Sequence, residues 1–476
     1  MLPLGSMNYA QGHIEFSRHA AQPLWEDDLR SEIWPRKRII WVVAVYLALF
    51  IIRPWELLFP ELADIRFERL MVLFVLGMTA LSCGISIRMT MQSVAMLLLL
   101  TAVWVSSLFA YVPEMAAKEL TEFIGITISF FVLLKVIRTP YQLFFLVACY
   151  FVATSLYVFK SEWEYFIHDA AKWEMGVRRL RGIDLTSGHP NAVGSTILCS
   201  LPFALFFHRV REEFCARWPK RFQTLFTWFL YVYVGSALCG VLLTRSRAAA
   251  LGLVVFALLL VLRQRGFAQR LKWGVLAVIA FAVLFAASPR DIQLRIRSTW
   301  DKSIERRANF KGANSSAEGR WEGWVAGLEI FRRFPISGVG IGSFKTYRVE
   351  QVDGVALNAH NLPGELLGET GILGAGAFVF FYFVLITNSR KLIALGRQVA
   401  EISGSRIYML FGIACFDAIM LLTYGGISGH NLQRYLWYWY AAFVVLALAY
   451  ARGEYDRLLA AGQDRIPVGT AQATNV

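Results

Sequence analysis

Three pairings of histidine with asparagine punctuate the chain: His189-Pro190-Asn191, His360-Asn361 and His430-Asn431. Each stands directly before an apolar stretch, so each is expected to open a helix. A helix N-terminus presents free N–H groups and the positive end of its macrodipole, and three such ends converging on one side would favour an anion such as phosphate. Simple N-capping by a polar side chain is the competing reading of each pairing taken alone. Arginines of the same sense accompany them. Arg245 and Arg247 lie in Thr244-Arg245-Ser246-Arg247, a tight turn between two apolar runs, while Arg178, Arg179 and Arg181 crowd the segment before His189, and Arg320 stands further on. A guanidinium suits a diphosphate because its planar fork makes paired hydrogen bonds and keeps its charge when desolvated. Glu365 and Glu369 follow His360 and share one helix face through their i, i+4 spacing. Carboxylates within a membrane helix are costly and normally turn inward. These two either pair with the arginines, cap packing polar groups, or orient His360.

The elements that must hold these residues follow from the composition. Of 476 residues, 57% are hydrophobic and only 17% charged, a balance that excludes an ordinary soluble fold. Apolar runs fall near 39–59, 68–86, 93–112, 115–137, 141–159, 191–208, 223–244, 247–262, 272–288, 361–387, 407–425 and 431–451. At about 20 residues per crossing, twelve spans use roughly half the chain, so the expected class is an all-α polytopic membrane protein. The expected organisation is a cytoplasmic N-terminal segment at 1–38, nine spans over 39–288, the first of them a signal anchor, with a loop at 160–190, a long loop at 289–360, three spans over 361–451 and a cytoplasmic tail at 452–476. The formal charge of +14 is spread over many short loops with no basic groove interleaved with aromatics, so nucleic acid is not an expected partner.

Lys and Arg in short loops mark the cytoplasmic side. Arg88, Lys135, Arg138, the stretch Arg209 to Arg221, Arg263 to Lys272 and Arg390 to Arg406 alternate with loops at 111–114 and 424–430 that hold neither residue. Both termini are therefore expected in the cytoplasm, and the His-Asn pairings and arginine turn on the opposite, outer side. Within the long outer loop, Trp321, Trp324, Val325, Leu328, Phe331 and Phe334 recur at helical spacing among charged residues. That describes an amphipathic helix resting on the membrane or the bundle top, or acting as a lid or acceptor-binding element.

Other chemistries find no support. Gly338-Val339-Gly340-Ile341-Gly342 follows Phe334-Pro335 and no strand, so it is not a dinucleotide fingerprint; it reads as a tight turn whose N–H groups could meet an anion. No Walker sequence, G-x-S-x-G or H-E-x-x-H occurs. Five of the six cysteines lie in apolar runs without C-x-x-C spacing, so neither disulfides nor zinc are expected. The outer loops lack an Asp-x-Asp pair, which points to arginine, with no metal, as the neutraliser of a polyanion.

The run Arg320-Trp321 through Gly327, Phe334-Pro335, Gly338 to Phe344, His360-Asn361, Glu365, Glu369 and Gly371, with Arg181-Gly182, His189-Pro190-Asn191 and Thr244-Arg245-Ser246-Arg247 upstream, resembles the bacterial O-antigen ligases and the related O-antigen polymerases. The resemblance covers the layout of the whole chain and is sharpest from about 180 to 375. It implies a GT-C-like lipid-linked-sugar glycosyltransferase in the bacterial inner membrane with its active site facing the periplasm. The implied donor is undecaprenyl-diphosphate-linked O-antigen and, for a ligase, the acceptor is the lipid A core oligosaccharide. Membrane lipids surround it; no cofactor and no metal are implied. The carry-over gives Arg320 and Arg247, or alternatively Arg245, to the donor diphosphate and His360 to the reaction centre. Arg245, Arg181, His189, Asn191, Asn361, Glu365 and Glu369 are expected substrate-binding residues. Alternatives are an O-antigen polymerase, a protein O-oligosaccharyltransferase or, from another class, a lipid or glycan transporter. A transporter should hold its ionisable groups near the midplane, whereas here they crowd the outer end.

Overall fold

In the computed structural model of the protein, residues 37–56, 67–84, 89–174, 177–184, 188–287, 290–297 and 313–463 are described. The helices run α1 Arg38–Ile52, α2 Phe67–Cys83, α3 Met91–Leu108, α4 Pro113–Val136 and α5 Pro140–Ile167. A hairpin of β1 Ala171–Glu174 and β2 Val177–Leu180 follows, paired antiparallel with Lys172 opposite Arg179. Then come α6 Pro190–Phe214, α7 Lys220–Leu243, α8 Arg247–Leu262, α9 Phe267–Ala287, α10 Arg290–Arg297, α11 Ala313–Arg333, α12 Phe344–Gln351, α13 Leu362–Ser403, α14 Ile407–Ile427 and α15 Tyr435–Gln463. Six of these, α3, α5, α6, α7, α13 and α14, are long and apolar enough to cross a membrane. Large apolar side chains stand exposed along α7 to α9, among them Trp228, Val232, Leu258 and Val278, a surface that water would not tolerate and lipid covers. The protein is a helical multi-pass membrane protein.

Each apolar run of the sequence overlaps a helix, with departures in extent; the first helix already ends at Ile52. The tenth continues past 387 to Ser403, because Asn388-Ser389-Arg390-Lys391 extends the helix as a polar turn instead of breaking it; Gly404, at φ 80°, ends it. The expected basic loop from Arg390 thus shrinks to residues 404–406. The last helix reaches Gln463, well into the expected tail. The expected loop at 160–190 begins with the last turns of α5 and contains the hairpin. Short strands of Ala-Lys-Trp-Glu and Val-Arg-Arg-Leu show no apolar alternation, because Arg179 is among the side chains turned inward. The N-terminal segment lies outside the described residues apart from Lys37 and Arg38.

The bundle centres on α15. Trp437, Tyr438, Trp439 and Tyr440 are all fully buried, and their polar atoms find partners: Trp439 Nε1 donates to Ser129 Oγ at 3.0 Å, Tyr438 Oη to the Leu432 carbonyl at 2.6 Å, and the Tyr440 and Tyr150 hydroxyls share a 2.7 Å bond. Aromatic mass with satisfied polar tips makes a centre for α4, α5, α13 and α14 to pack around.

One helix buries a different face from the one its pattern predicts. In α11, Trp321 and Val325 are exposed, whereas Gly323, Ala326, Gly327 and Ile330 are buried. A Cβ on Gly323 would stand 2.2 Å from the Ala359 carbonyl oxygen, and one on Gly327 would stand 2.7 Å from that of Gly364. Small residues let α11 lie backbone to backbone on the start of α13, and the larger side chains are left on the outer face.

Candidate functional site

His360 and Asn361 form the entry to α13. Asn361 is its N-cap: Oδ1 accepts from Gly364 N at 2.7 Å, satisfying one orphan donor of the first turn. Its Nδ2 donates to the Ala359 carbonyl at 2.8 Å and to the Arg320 carbonyl at 3.2 Å. One amide therefore fixes the helix that follows His360 to the helix that carries Arg320. Every polar atom of the Asn361 side chain is engaged by backbone, so its place is that of a strut. Asn361→Ala should lower stability by about 1–2 kcal/mol and turnover more steeply, while Asn361→Ser, which restores the cap without the strut, should recover stability but not turnover. Equal recovery of both would show that only the cap matters.

His360 adopts a left-handed backbone, φ 51°, a conformation that costs a non-glycine residue about 1–2 kcal/mol. Its approach is folded by Arg348, a fully buried guanidinium bound to Asp353 at 2.7 and 3.0 Å, with Glu322 of α11 at 3.8 Å. The imidazole is half-buried and its ring centroid lies 5.5 Å from that of His430. Burial, then the neighbouring His430 and Arg320, push its pKa down to about 4, so the ring is neutral around pH 7. Arg320 is held below its ordinary value by burial and by the charge of Arg247; it keeps its proton, and the mutual repulsion places the two guanidiniums in one field.

The turn that bears Arg247 is shaped by its own residues. Ser246 caps α8 by accepting from Ala249 N at 3.3 Å, Arg247 is the first helical residue, and Arg245 turns the corner at φ 49°. Gly194 of α6 admits this turn, since a Cβ there would stand 2.7 Å from Ala249 Cβ. Of the two turn arginines, Arg247 faces Arg320 electrostatically, and Arg245 lies beside Arg179.

The other expected residues fall into different roles. His189 caps α6, with Nδ1 accepting from Asn191 N at 3.3 Å and Nε2 3.5 Å from Glu174. Asn191 Oδ1 accepts from Arg179 at 2.7 Å. Arg181 is exposed; the buried member of its cluster is Arg179. The third pairing does not open a helix, because α15 starts only at Tyr435; Asn431 is buried instead, donating to the Leu422 carbonyl at 2.9 Å. Among the described residues, no arginine forms an ion pair with Glu365 or Glu369. Glu369 Oε1 accepts from Phe344 N at 3.3 Å, and Glu365 Oε2 is buried without a hydrogen-bond partner.

The glycine run is also spoken for. α13 breaks at Gly371, φ 58° and ψ −157°, and the 335–343 turn fills the break. Val339 N donates to Gly368 O at 3.0 Å and Gly340 N to Glu369 O at 2.9 Å, while Ile372 N and Leu373 N donate back to Pro335 and Ile336 carbonyls. These N–H groups repair a helix kink and do not form an anion nest. Among the described residues, no three His, Cys, Asp or Glu side chains come together to hold a metal ion.

The arrangement is thus a half-buried imidazole that feels the charge of Arg320, which in turn feels that of Arg247 on a separate helix. It can bind a polyanion at Arg320 and Arg247 and take or donate a proton at His360. No curated protein matches the chain. Residues 232–379 match the family model described as O-antigen ligase, a family of enzymes that transfer sugar chains. That segment holds Arg245, Arg247, Arg320, His360, Glu365 and Glu369 together with the break at Gly371, and over it the chain is similar to the O-antigen ligases.

Proposed function

We propose that the protein is an O-antigen ligase. It moves O-antigen polysaccharide from undecaprenyl diphosphate onto the lipid A core oligosaccharide at the periplasmic face of the bacterial inner membrane, with inversion and without a metal. The observation that carries this reading is the electrostatic coupling of Arg320 on α11 with Arg247 on α8 and with His360. Two unlike elements thereby contribute cations to one region, where a diphosphate can be held. Twelve crossings in a GT-C-like bundle, with both termini in the cytoplasm, fit the loop charges and put this end outside.

In the reaction, the acceptor hydroxyl oxygen attacks the anomeric carbon from the face opposite the diphosphate. The C–O bond to the diphosphate breaks, undecaprenyl diphosphate leaves with the electron pair, and the hydroxyl proton passes to His360. Arg320 and Arg247 stabilise the charge that grows on the leaving oxygen. His360 must be unprotonated to accept, so kcat/KM for the donor should hold as pH falls from 7 and decline only through about 4. Bound diphosphate favours the imidazolium, so the kcat limb should lie above the kcat/KM limb. A His360→Gln enzyme with full activity would remove the base assignment.

Deleting the gene tests the acceptor. Loss of a ligase leaves long polyprenyl-linked chains unattached to lipid A. Chains reduced to single repeats would identify a polymerase instead, and loss of glycoproteins would identify a protein O-oligosaccharyltransferase.

A further inference from the structure

Arg179 joins the β-hairpin to the arginine turn. Arg179 is only 2% exposed. Its Nε donates to the Thr244 carbonyl at 2.9 Å, one Nη to Asn191 Oδ1 at 2.7 Å and the other to Glu174 Oε2 at 2.5 Å. Strand β1, the start of α6 and the residue before Arg245 are thereby fixed to one planar group. The Thr244 carbonyl is the last before the left-handed Arg245, so a shift there rotates Arg245 and the first turn of α8 together.

We propose that Arg179 is a positioning residue for the glycan-transfer site: the Glu174–Arg179 ion pair holds the 244–247 turn in the register that points Arg247 at Arg320. This rests on the ligase-type reading for its catalytic consequence, but not for the contact itself. Glu174 serves a second purpose. Burial works against its charge, yet Arg179, His189 and Lys172 hold it below the usual carboxylate range, so it stays ionised and neutralises Arg179. The charge presented to a polyanion is left to the turn arginines and Arg320. A cation buried without such a partner would be costly and would repel Arg245. Lysine cannot replace the fork, since three acceptors on three elements lie around one plane.

Two readouts on the full-length protein test this. Amide hydrogen exchange over residues 242–249 should quicken in Arg179→Met and in the milder Glu174→Gln, while exchange over the buried part of α15 stays as in the wild type. Donor turnover should fall about 100-fold in Arg179→Met, the scale of a small misplacement of catalytic groups, and less in Arg179→Lys. The acceptor KM should not move. In an Arg247→Ala background the same substitution should cost little more, because the group it positions is already gone.

Unchanged exchange in Arg179→Met and Glu174→Gln would overturn the proposal whatever the activity. Quickened exchange with effects that multiply in the double variant would also overturn it, because Arg179 would then act on the fold at large. Quickened exchange in the two variants, with a wild type that transfers no glycan, would leave the positioning contact standing and remove the ligase reading.

Discussion

Arg320→Ala should lower kcat for glycan transfer by about 100- to 1,000-fold, with a smaller rise in donor KM, by analogy with removal of one preorganised donor to a developing anion. The size follows from where the side chain stands. Arg320 is drawn from α11 toward Arg247 on α8 in partly desolvated surroundings that depress its affinity for a proton, so its field reaches a bound diphosphate with little screening. Arg320→Lys should recover only a minor part, because a point charge cannot make the paired hydrogen bonds of the fork. Arg247→Ala should cost a similar factor. Removing both should cost less than the product, since the two arginines act on one group. Steady-state kinetics on purified protein measure all four; a drop below threefold in Arg320→Ala would mean that the diphosphate lies elsewhere.

Gly371→Ala should be severely damaging for a single added methyl. Gly371 combines φ 58° with ψ −157°, a region open essentially to glycine alone, and an added Cβ would stand 2.4 Å from the Ile336 carbonyl oxygen and 2.8 Å from Gly338 N. The strained backbone and the collision together should cost about 3 kcal/mol or more. They would also expel the 335–343 turn that fills the break, and with it the N–H groups that engage Glu369. Gly376→Ala is the matched control, five residues on in the same helix, where a Cβ meets nothing within 4 Å. It should be neutral or stabilising by about 1 kcal/mol. Thermal unfolding in one detergent compares them, and equal midpoints would mean that the kink is not built as described.

The helices were legible in the sequence because hydrophobic runs of membrane length have few alternatives. Arg245 and Arg247 stood out in the sequence as cations set against the topology bias, whereas the roles of Arg320 and His360 came from the resemblance and stay part of the proposal. What escaped depends on which partner each side chain meets. Arg178, Arg179 and Arg181 are indistinguishable in a basic cluster, and only the hairpin register turns Arg179 inward and Arg181 out. Glu365 and Glu369 left arginine pairing, capping and the orienting of His360 all open in the sequence; the acceptor role of Glu369 toward Phe344 N arises from a loop at 342–344 that the local sequence does not reveal. The glycine run read as a free anion turn, because a break in α13 at Gly371 shows only as one more glycine. In α11, hydrophobic periodicity marked the face with large side chains, but backbone contact with α13 selects the face with the smallest ones.

On the proposed mechanism, Arg320, Arg247 and His360 together move a glycan from a polyprenyl diphosphate to lipid A core without a metal. Purified protein reconstituted with polyprenyl-diphosphate O-antigen and lipid A core, in the presence of chelator, tests it by the gel shift of the lipid A band, with Arg320→Ala run alongside. The predicted result is a shift that chelator leaves intact and the variant abolishes. A lipid A band that stays in place while the polyprenyl-linked glycan lengthens, or a shift that Arg320→Ala retains in full, would contradict it.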